Sequence, residues 1–446
     1  MTKHSNIGLT ENTKLDRIRK RSQEYPDTMF NNLGHVISVE FLMEIYHQLD
    51  GNKAVGIDGV TKKEFGENLE ENIKGLIHEI RRGKYRPKAA RLVEIPKEDG
   101  STRPLAISCF RDKLVQNAAA KILEQIYEPI FSESSYGGRP GRNCHQTLRN
   151  LLHHTGKYKD GAVVEIDIKK YFNSIPHEPL EMFLAKKISD KRFLGLIKIL
   201  TKSPTMVDGI AVENKLGCPQ GSCISGILAN IYLHHVIDEW FETIKKSHFG
   251  GEAEMCRFMD DMVFVFKRPK DAEAFYRVLP KRLAKYGLLL HEEKSQILPS
   301  GKIAAERANK QGKKIGTYKF LGFVCYWGKA RDGKTWRLKY KSRRDRLTAT
   351  LKRIKQYMRK HLNAPNTDEL LKDVVKVIKG WINYHAITDN QRKVWGFIRD
   401  CARIILKWYN RRGCKKAINW GNLTHVLKRI GFPTRIKTIS MFTKTS

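Results

Sequence analysis

The sequence predicts an α+β protein, and three observations support this fold class. Short apolar runs of β-favouring residues, such as Met262 to Phe266, are too brief for helices and suit buried strands. Segments with helical spacing of apolar residues occur before and after them, as in Val36 to Leu49 and Ser342 to Arg359. The length of 446 residues allows two or three domains and a large core.

The first 160 residues are predicted to be mainly helical. Residues 1–35 are basic and polar and are expected to pack weakly by themselves. Helices are expected at about 36–49, 62–82 and 110–128. A short, Gly-containing hairpin is expected around Lys97-Glu98-Asp99-Gly100.

Strands and helices alternate over residues 161–330. Ala304 to Gly316 is rich in Lys and Gly and is predicted to be an exposed connection. Helices then continue from Ser342 to about residue 430. Asn363 to Asp368 predicts a break between two of them, with a helix-capping signal.

The formal net charge is +36, and most of it lies in the last third of the chain. Residues 301–446 contain 37 Lys and Arg against 8 Asp and Glu. A solvated surface is the alternative, but the excess spreads over nearly 150 residues and is interleaved with Trp, Tyr and Phe. The distribution predicts a polyanion-binding surface whose affinity falls with salt.

The remaining composition argues against several classes of protein. The N-terminus is polar, and no apolar run approaches the ~18–20 residues of a membrane span. The eight cysteines form no Cys-x-x-Cys pair, which argues against a zinc site or a disulfide framework. The tandem histidines His153-His154 and His234-His235 lack metal-binding spacing and are interpreted as ordinary helix residues. A reducing cytoplasm, as in the bacterial cytoplasm or nucleoid, is expected, without a membrane partner.

The most informative motif is the adjacent pair Asp260-Asp261 within an apolar, β-rich run. Two carboxylates at a hairpin tip repel each other and are costly to desolvate, and a divalent cation relieves both costs. An ordinary Asp-Asp turn is the alternative. Asp167 near the end of another predicted strand favours the cation, because neighbouring strands would bring it opposite Asp260. Two Mg²⁺ ions held there could drive in-line phosphoryl transfer to a 3′-hydroxyl.

Seven short blocks occur in the order typical of one protein family. They are Gly56-Ile57-Asp58-Gly59-Val60-Thr61; Ile95-Pro96-Lys97-Glu98-Asp99-Gly100-Ser101-Thr102-Arg103-Pro104-Leu105; Tyr136-Gly137-Gly138-Arg139-Pro140-Gly141-Arg142; the Asp167 block; Pro219-Gln220-Gly221-Ser222 with Leu228-Ala229-Asn230-Ile231-Tyr232-Leu233; the Asp260-Asp261 block; and Phe320-Leu321-Gly322-Phe323. Together they resemble group II intron-type reverse transcriptases, which are called maturases when they also help their intron RNA to splice. The resemblance covers about residues 30–430.

The resemblance implies a right-hand polymerase fold. After the basic extension at 1–35, it places fingers at 36–160 and a palm with the catalytic site at 161–330. The palm would be an antiparallel sheet with helices. A helical thumb, similar to the maturase RNA-binding domain, and a short basic tail would occupy 331–446.

The resemblance also implies residue roles. Asp167, Asp260 and Asp261 would be catalytic and, with the carbonyl of Ile168, would bind two Mg²⁺ ions, for which Mn²⁺ can substitute. Residues implied to bind the nucleotide are Lys97, Arg103, Phe172, Gln220 and Lys294. Residues expected at template or primer are Arg139, Arg142, Met259, Phe320, Leu321, Gly322, Arg343, Arg344, Arg353 and Lys355. Trp381 and Tyr384 match a maturase thumb motif and are interpreted mostly as thumb core.

The expected substrates are an RNA template, a DNA primer with an RNA or DNA template, and deoxynucleoside triphosphates. Met259 stands where intron-encoded relatives commonly have Ala, and this slightly favours a free-standing enzyme of DNA repair or phage defence. An intron-encoded maturase that assists splicing and retrohoming, with a structured intron RNA as partner, is the main alternative. A non-catalytic splicing factor would have lost the aspartates, and all three are present.

Overall fold

The computed structural model describes residues 5–96, 102–412 and 417–442, with side chains from residue 14 onward. It contains 17 α-helices and 11 strands in these ranges, which agrees with the predicted α+β class. Among the described residues, no helix is long and apolar enough to cross a membrane. Lys97 and the tip of the predicted hairpin lie outside the described residues.

The strands form three sheets. Their bounds are β1 Ala90–Pro96, β2 Thr102–Ile107, β3 Gly161–Ile166, β4 Thr205–Val207, β5 Ile210–Val212, β6 Ala253–Phe258, β7 Asp261–Phe266, β8 Gln296–Ser300, β9 Tyr318–Phe320, β10 Phe323–Lys329 and β11 Trp336–Ser342. The sheet orders are β2-β1-β4-β5, β6-β7-β3-β8 and β11-β10-β9. β1 pairs antiparallel with β2, which agrees with the predicted hairpin, and parallel with β4.

The helices account for most of the chain. Their bounds are α1 Ser5–Glu24, α2 Val39–Gln48, α3 Lys62–Glu67, α4 Leu69–Arg81, α5 Phe110–Tyr127, α6 Cys144–Lys157, α7 Tyr171–Ser174, α8 His177–Ala185, α9 Lys191–Thr201, α10 Ser225–Leu233, α11 Glu239–Ser247, α12 Pro269–Lys285, α13 Lys302–Lys310, α14 Arg344–Lys360, α15 Thr367–His385, α16 Gln391–Arg412 and α17 Trp420–Arg429. A π-helical turn, His234–Asp238, joins α10 to α11.

The chain divides into two compact units. The first comprises residues 1–143, 166–262 and 273–296, and the second comprises 144–165, 263–272 and 297–446. The predicted boundaries of fingers, palm and thumb stay predictions.

The core of the first unit is built around helices with several apolar faces. α10 is mostly apolar, with Ser225 and Asn230 as its polar side chains, and almost every residue is buried, so it lies in the interior rather than at the surface. α5 is also largely buried, and α1 packs near its C-terminal end, where Ser22 Oγ donates a 2.6 Å hydrogen bond to the carbonyl of Ile126. The N-terminal segment is therefore a helix anchored to the first unit.

The second unit contains a helical core formed by α14 to α17. Its buried side chains include Ile354 on α14, Ile378 on α15 and Ile405 on α16. Asn366 caps the start of α15 by accepting a hydrogen bond from the Glu369 N–H, which confirms the predicted break and capping signal.

The prediction of an exposed connection at Ala304 to Gly316 is wrong for its first part. α13 spans Lys302–Lys310 and buries Ala304 and Ala305. Two consecutive alanines are weak apolar markers, so the polar majority of the segment obscured a helix with one buried edge. The helix expected at 62–82 is also divided in two, because Asn68 interrupts it between α3 and α4.

Candidate active site

The two adjacent aspartates lie at the turn between β6 and β7. Met259 and Asp260 connect the last residue of β6, Phe258, to the first residue of β7, Asp261. Met259 adopts a left-handed backbone conformation with a φ of 55°, which is uncommon for a residue with a side chain. Asp260 is partly buried and Asp261 is exposed. The predicted position of the pair at a hairpin tip is confirmed.

The main chain fixes Asp167 on both sides. Its N–H donates a 3.1 Å hydrogen bond to Ser295 Oγ, and its carbonyl accepts a 2.8 Å hydrogen bond from the His291 N–H. The next residue, Ile168, forms an isolated β-bridge with Leu290. The Asp167 carboxylate therefore projects from a backbone whose polar groups are all engaged.

Charges concentrate around these carboxylates. Burial raises the pKa of Asp260, and the negative charge of Asp167 raises it further, whereas Arg103 and Arg257 oppose the rise. The ammonium of Lys294 lies 3.5 Å from Oδ2 of Asp167. The fold thus brings carboxylates from two distant segments into one electrostatic environment with cations close by.

This donor set fits divalent magnesium. Mg²⁺ prefers oxygen ligands and is usually held by one or two carboxylates together with substrate phosphates. The repulsion that raises the Asp260 pKa is the cost that such a cation would remove. Asp261, which follows Asp260 and is exposed, supplies a third carboxylate.

A buried arginine supports the turn from behind. Arg257 has no exposed surface, and its Nε and Nη2 donate to the carboxylate of Asp238 at 2.7 and 2.6 Å. Its Nη1 donates to Asn230 Oδ1 at 2.9 Å and to the Met259 carbonyl at 3.2 Å. Asn230 Nδ2 in turn donates to the Gly137 carbonyl at 2.7 Å. This network, defined by Arg257, Asp238 and Asn230, holds the residue immediately before Asp260.

Two glycines let another segment approach the same turn. A Cβ on Gly137 would lie 2.4 Å from the Met259 amide nitrogen, so only glycine fits there. A Cβ on Gly138, whose φ is 67°, would lie 2.9 Å from the sulfur of Met259. The Tyr136-Gly137-Gly138 segment therefore lies directly against the turn. The Met259 side chain occupies the space beside Gly137 and Gly138.

The match to known proteins agrees with this geometry. A family model described as reverse transcriptase (RNA-dependent DNA polymerase) matches residues 95–325, more than half of the chain. The chain belongs to the reverse transcriptase family. The match includes Asp167, Asp260 and Asp261.

Individual relatives specify the type of reverse transcriptase. The group II intron-encoded protein LtrA of Lactococcus lactis subsp. cremoris is 36% identical over 226 residues, which cover 50% of this chain and 37% of LtrA. A 91 kDa protein in the cob intron of Schizosaccharomyces pombe is 36% identical over 247 residues, covering 55% of this chain and 30% of that protein. Protein YkfC of Escherichia coli is 32% identical over 248 residues, covering 49% and 65%. The chain thus spans 30% to 65% of these three relatives, and the expected group II intron-type resemblance is confirmed.

Among the residues expected to bind the nucleotide in this reverse transcriptase, Arg103 and Lys294 are exposed. The charge of Arg103 acts on Asp260, and Lys294 lies beside Asp167. Phe172 is partly buried and packs edge-on against Tyr171 at 5.6 Å. Its carbonyl accepts a 2.7 Å hydrogen bond from the Cys218 N–H. The backbone of the predicted sugar gate is therefore fixed to the loop that carries Gln220.

Gln220 joins that loop to the β1–β2 hairpin. Its carbonyl accepts a 2.6 Å hydrogen bond from the Ala106 N–H of β2. Its side-chain Oε1 is buried and has no hydrogen-bond partner among the described residues. A buried acceptor without a partner is costly, so a ligand group that donates to it would be favoured.

Arg139 and Arg142 are engaged within the protein. Arg139 is buried and donates to the Glu128 carboxylate at 3.0 Å and to the carbonyls of Ser132 and Ser135. Arg142 pairs with Glu133 at 2.6 Å. Contact with template phosphates stays a prediction for both, and these bonds give Arg139 in particular a role in holding its own loop.

The predicted primer-holding segment is a strained turn in the second unit. Leu321 and Gly322 between β9 and β10 have φ values of 47° and 79°. Tyr384 on α15 donates a 2.8 Å hydrogen bond to the Leu321 carbonyl and stacks on Phe323 at 5.7 Å. Tyr384 therefore supports this turn directly, beyond the core role expected from sequence. Trp381 stacks on Phe397 in the helical core, as expected.

The predicted basic contacts on α14 differ in availability. Arg344, Arg353 and Lys355 are exposed. Arg343, at the N-cap of the helix, pairs with Asp345 and lowers the pKa of that carboxyl to about 2. These three exposed residues present their positive charges on the surface of the helix.

Sequence reasoning missed the Arg257 network. An arginine inside the apolar run before Asp260 was visible and unusual, since buried charges require partners. Its partner, Asp238, lies 19 positions earlier in another element, and no local periodicity connects them.

Proposed function

We propose that this chain is an RNA-directed DNA polymerase of the group II intron type, which adds deoxynucleotides to a primer 3′-hydroxyl. The supporting observation is the convergence of Asp167 and Asp260 in the part of the chain that matches the family. Two bound Mg²⁺ ions, or Mn²⁺ in their place, would supply activation of the attacking hydroxyl and stabilisation of the leaving oxygen.

The protein's own groups position the reactants. Asp167, Asp260 and Asp261, with the carbonyl of Ile168, would hold the ions, and their main-chain anchoring limits reorganisation during the reaction. Arg103 and Lys294 would neutralise the triphosphate. Lys294 would also give a proton to the leaving pyrophosphate. Lys97 lies outside the described residues, so its proposed role in binding the triphosphate is supported by the family resemblance alone.

Nucleotide selection is proposed to depend on two side chains. Phe172 would lie beneath the sugar and clash with a 2′-hydroxyl, which favours deoxynucleotides. Gln220 would donate or accept at the nucleotide or template base, and its unpartnered buried Oε1 supports this role.

The wider architecture is proposed to be that of a right hand, with fingers at 36–160, palm at 161–330 and thumb at 331–446. The turn of Phe320, Leu321 and Gly322 would hold the primer end. The strongly basic last third would bind the template and primer backbone. An RNA template is the proposed main substrate, and DNA templates would also serve.

Primer extension by the purified chain tests this function. A labelled DNA primer on an RNA template should be extended to the template end when Mg²⁺ and deoxynucleotides are present, and a chelator should stop synthesis. A DNA template of the same sequence should also be copied. No extension with either Mg²⁺ or Mn²⁺ on either template would contradict the proposal.

Two biological roles are compatible with this activity. The printed names of the relatives, which include intron-encoded proteins, support a maturase role. Met259 beside the catalytic pair supports a free-standing role in DNA repair or phage defence. The RNA that surrounds the reading frame distinguishes them. If that RNA contains an intron whose splicing the protein accelerates, the protein is a maturase. If it contains no intron, the protein is the free-standing enzyme.

A further inference from the structure

The π-helical turn His234–Asp238 places two consecutive histidines against one carboxylate. Consecutive side chains on an α-helix point about 100° apart and do not face each other. Here His235 Nδ1 lies 2.8 Å from Glu239 Oε2, and His234 Nε2 lies 3.5 Å from Glu239 Oε1. π-helical turns are rare and occur frequently at functional sites. The turn therefore builds a three-residue cluster that an uninterrupted helix would not form.

The environment of the cluster is apolar and favours the neutral form of the His235 imidazole. Both histidines are buried, and the rings of Phe131 and Phe183 pack on them at 5.4 and 4.7 Å. Burial lowers the pKa of His235, although Glu239 partly opposes this effect. Neutral imidazole is the form that binds a metal ion. Glu239 is about half exposed, so an ion could reach the cluster from solvent.

The ring nitrogens that do not face Glu239 lie in buried surroundings. In the part of the chain that the structure describes, His234 Nδ1 and His235 Nε2 have no hydrogen-bond partner. His234 Nδ1 lies 3.8 Å from the carboxylate of Asp238, which pairs with Arg257. A metal-bound imidazole commonly turns its second nitrogen toward such a carboxylate. A small rotation of the His234 ring would complete that contact.

We propose that His234, His235 and Glu239 form a binding site for a transition-metal ion of the Zn²⁺ class, separate from the catalytic carboxylates. The three ligand atoms lie within 4.8 Å of one another, and bonds of about 2.0–2.2 Å to one ion require only modest closure. Two imidazoles and one carboxylate suit Zn²⁺ or Co²⁺, whereas the oxygen-only catalytic set suits Mg²⁺. Water would complete the coordination.

Binding would change the tautomer of His235. Its Nδ1 and Glu239 are joined by a hydrogen bond that requires a proton between them. An ion on both groups takes the place of that proton, and the neutral ring then carries its proton on Nε2, so no net proton is released, whereas protonation of the ring at acidic pH would compete with the ion. The ion would also fix the turn that carries Asp238, the partner of the Arg257 network behind Met259.

Cobalt titration of the metal-free 446-residue chain tests the site. The Asp260→Asn background removes a catalytic ligand, and visible absorption of Co²⁺ reports nitrogen coordination. We expect one Co²⁺ per chain with imidazole character, displaced by Zn²⁺, and a higher melting temperature with Zn²⁺. Glu239→Gln and His235→Ala should each weaken Co²⁺ binding by at least about 100-fold. Loss of a group that only hydrogen-bonds to a metal ligand already lowers metal affinity by up to about 100-fold, and these variants remove a ligand itself.

The tandem pair His153-His154 supplies the matched control. His153→Ala removes an exposed histidine of a similar pair, whose rings lie 5.6 Å apart, and should leave Co²⁺ binding unchanged. Glu239→Gln changes a half-exposed side chain without changing its size, so it tests the site even if the buried His235→Ala variant fails to fold. Equal Co²⁺ binding by Glu239→Gln and the parent, or no nitrogen-coordinated Co²⁺ in the parent, would overturn the proposal.

Discussion

At the scale of single residues, Arg257 connects the fold to the proposed chemistry. Its guanidinium binds Asp238, Asn230 and the Met259 carbonyl, and its charge opposes the raised pKa of Asp260. Arg257 is fully buried behind the turn, so we assign it as a positioning residue for Asp260.

Replacing Arg257 should change the pH dependence of synthesis. Asp260 must be ionised to hold a cation, and its pKa is already raised in the folded chain. Arg257→Gln removes a charge that lowers this pKa, so the acid limb of the pH–rate profile should move to higher pH. We also expect kcat to fall by about 10-fold or more, because the turn loses its support. Primer-extension rates measured from about pH 5.5 to 8.5 check both effects.

Two further variants separate positioning from folding. Arg257→Gln leaves the buried Asp238 carboxylate without its arginine, which costs about 3–5 kcal/mol of folding free energy. The double variant Arg257→Gln/Asp238→Asn removes that unpaired charge and should regain stability while keeping the shifted pH profile. Arg111→Gln, which breaks a partly buried pair with Glu79, is the control. If Arg257→Gln slows synthesis but leaves the pH–rate profile unshifted, Arg257 has only a structural role.

Phe172 makes a second prediction at this scale. Phe172→Ala should open space beneath the sugar and lower the preference for deoxynucleotides over ribonucleotides by about 10-fold or more, the value of one steric discrimination of 1–3 kcal/mol. The ratio of kcat/KM for the two nucleotide types measures it. Tyr171→Phe keeps the neighbouring ring and should leave the ratio unchanged. The same ratio in Phe172→Ala and the parent would remove the gate role.

At the scale of elements, α15 supports the turn between β9 and β10. Tyr384→Phe removes the hydrogen bond to the Leu321 carbonyl and should lower the free energy of unfolding by about 1 kcal/mol. If this turn holds the primer, KM for primer–template should rise while kcat changes little. Tyr357→Phe, at an exposed position on α14, is the control. An unchanged KM with the expected loss of stability would separate the turn from primer binding.

Sequence predicted the elements whose signals are local. The strand that follows Asp260-Asp261 is a continuous apolar run, and Asp167 follows a mostly apolar strand, so both positions were visible. The π-helical turn was not visible in the sequence. His234-His235 is compatible with an ordinary α-helix, and a local change from α- to π-helical hydrogen bonding does not alter the spacing of apolar residues in a recognisable way. The pairing of Arg139 with Glu128 was also hidden, because a loop arginine among glycines is equally typical of phosphate binding.

At the scale of the whole molecule, the charge distribution determines how the chain meets nucleic acid. The excess of basic residues after position 300 predicts many phosphate contacts. If about six or more phosphates are neutralised, a plot of log binding constant against log salt should have a slope of about −4 to −5 or steeper. Binding of primer–template by the Asp260→Asn chain, measured without synthesis, gives this slope.

Charge reversal locates the surface. Arg353→Glu/Lys355→Glu on α14 should weaken nucleic-acid binding. It should also make the slope of log binding constant against log salt shallower by about 2, the contribution of two phosphate contacts. Lys281→Glu/Lys285→Glu on α12 changes net charge equally and should have a smaller effect. Equal losses from the two pairs would mean that net charge, rather than a thumb surface, drives binding.

The most direct test of the central claim compares two aspartate variants in primer extension. Asp260→Asn removes a proposed ligand of the ions, whereas Asp208→Asn changes an exposed aspartate of the same unit. We predict that Asp260→Asn lowers the rate of DNA synthesis by at least about 100-fold, because metal stabilisation supplies several kcal/mol, with primer–template binding retained and Asp208→Asn unaffected. Synthesis by Asp260→Asn at the parental rate would contradict the claim that Asp167 and Asp260 together form the catalytic metal site.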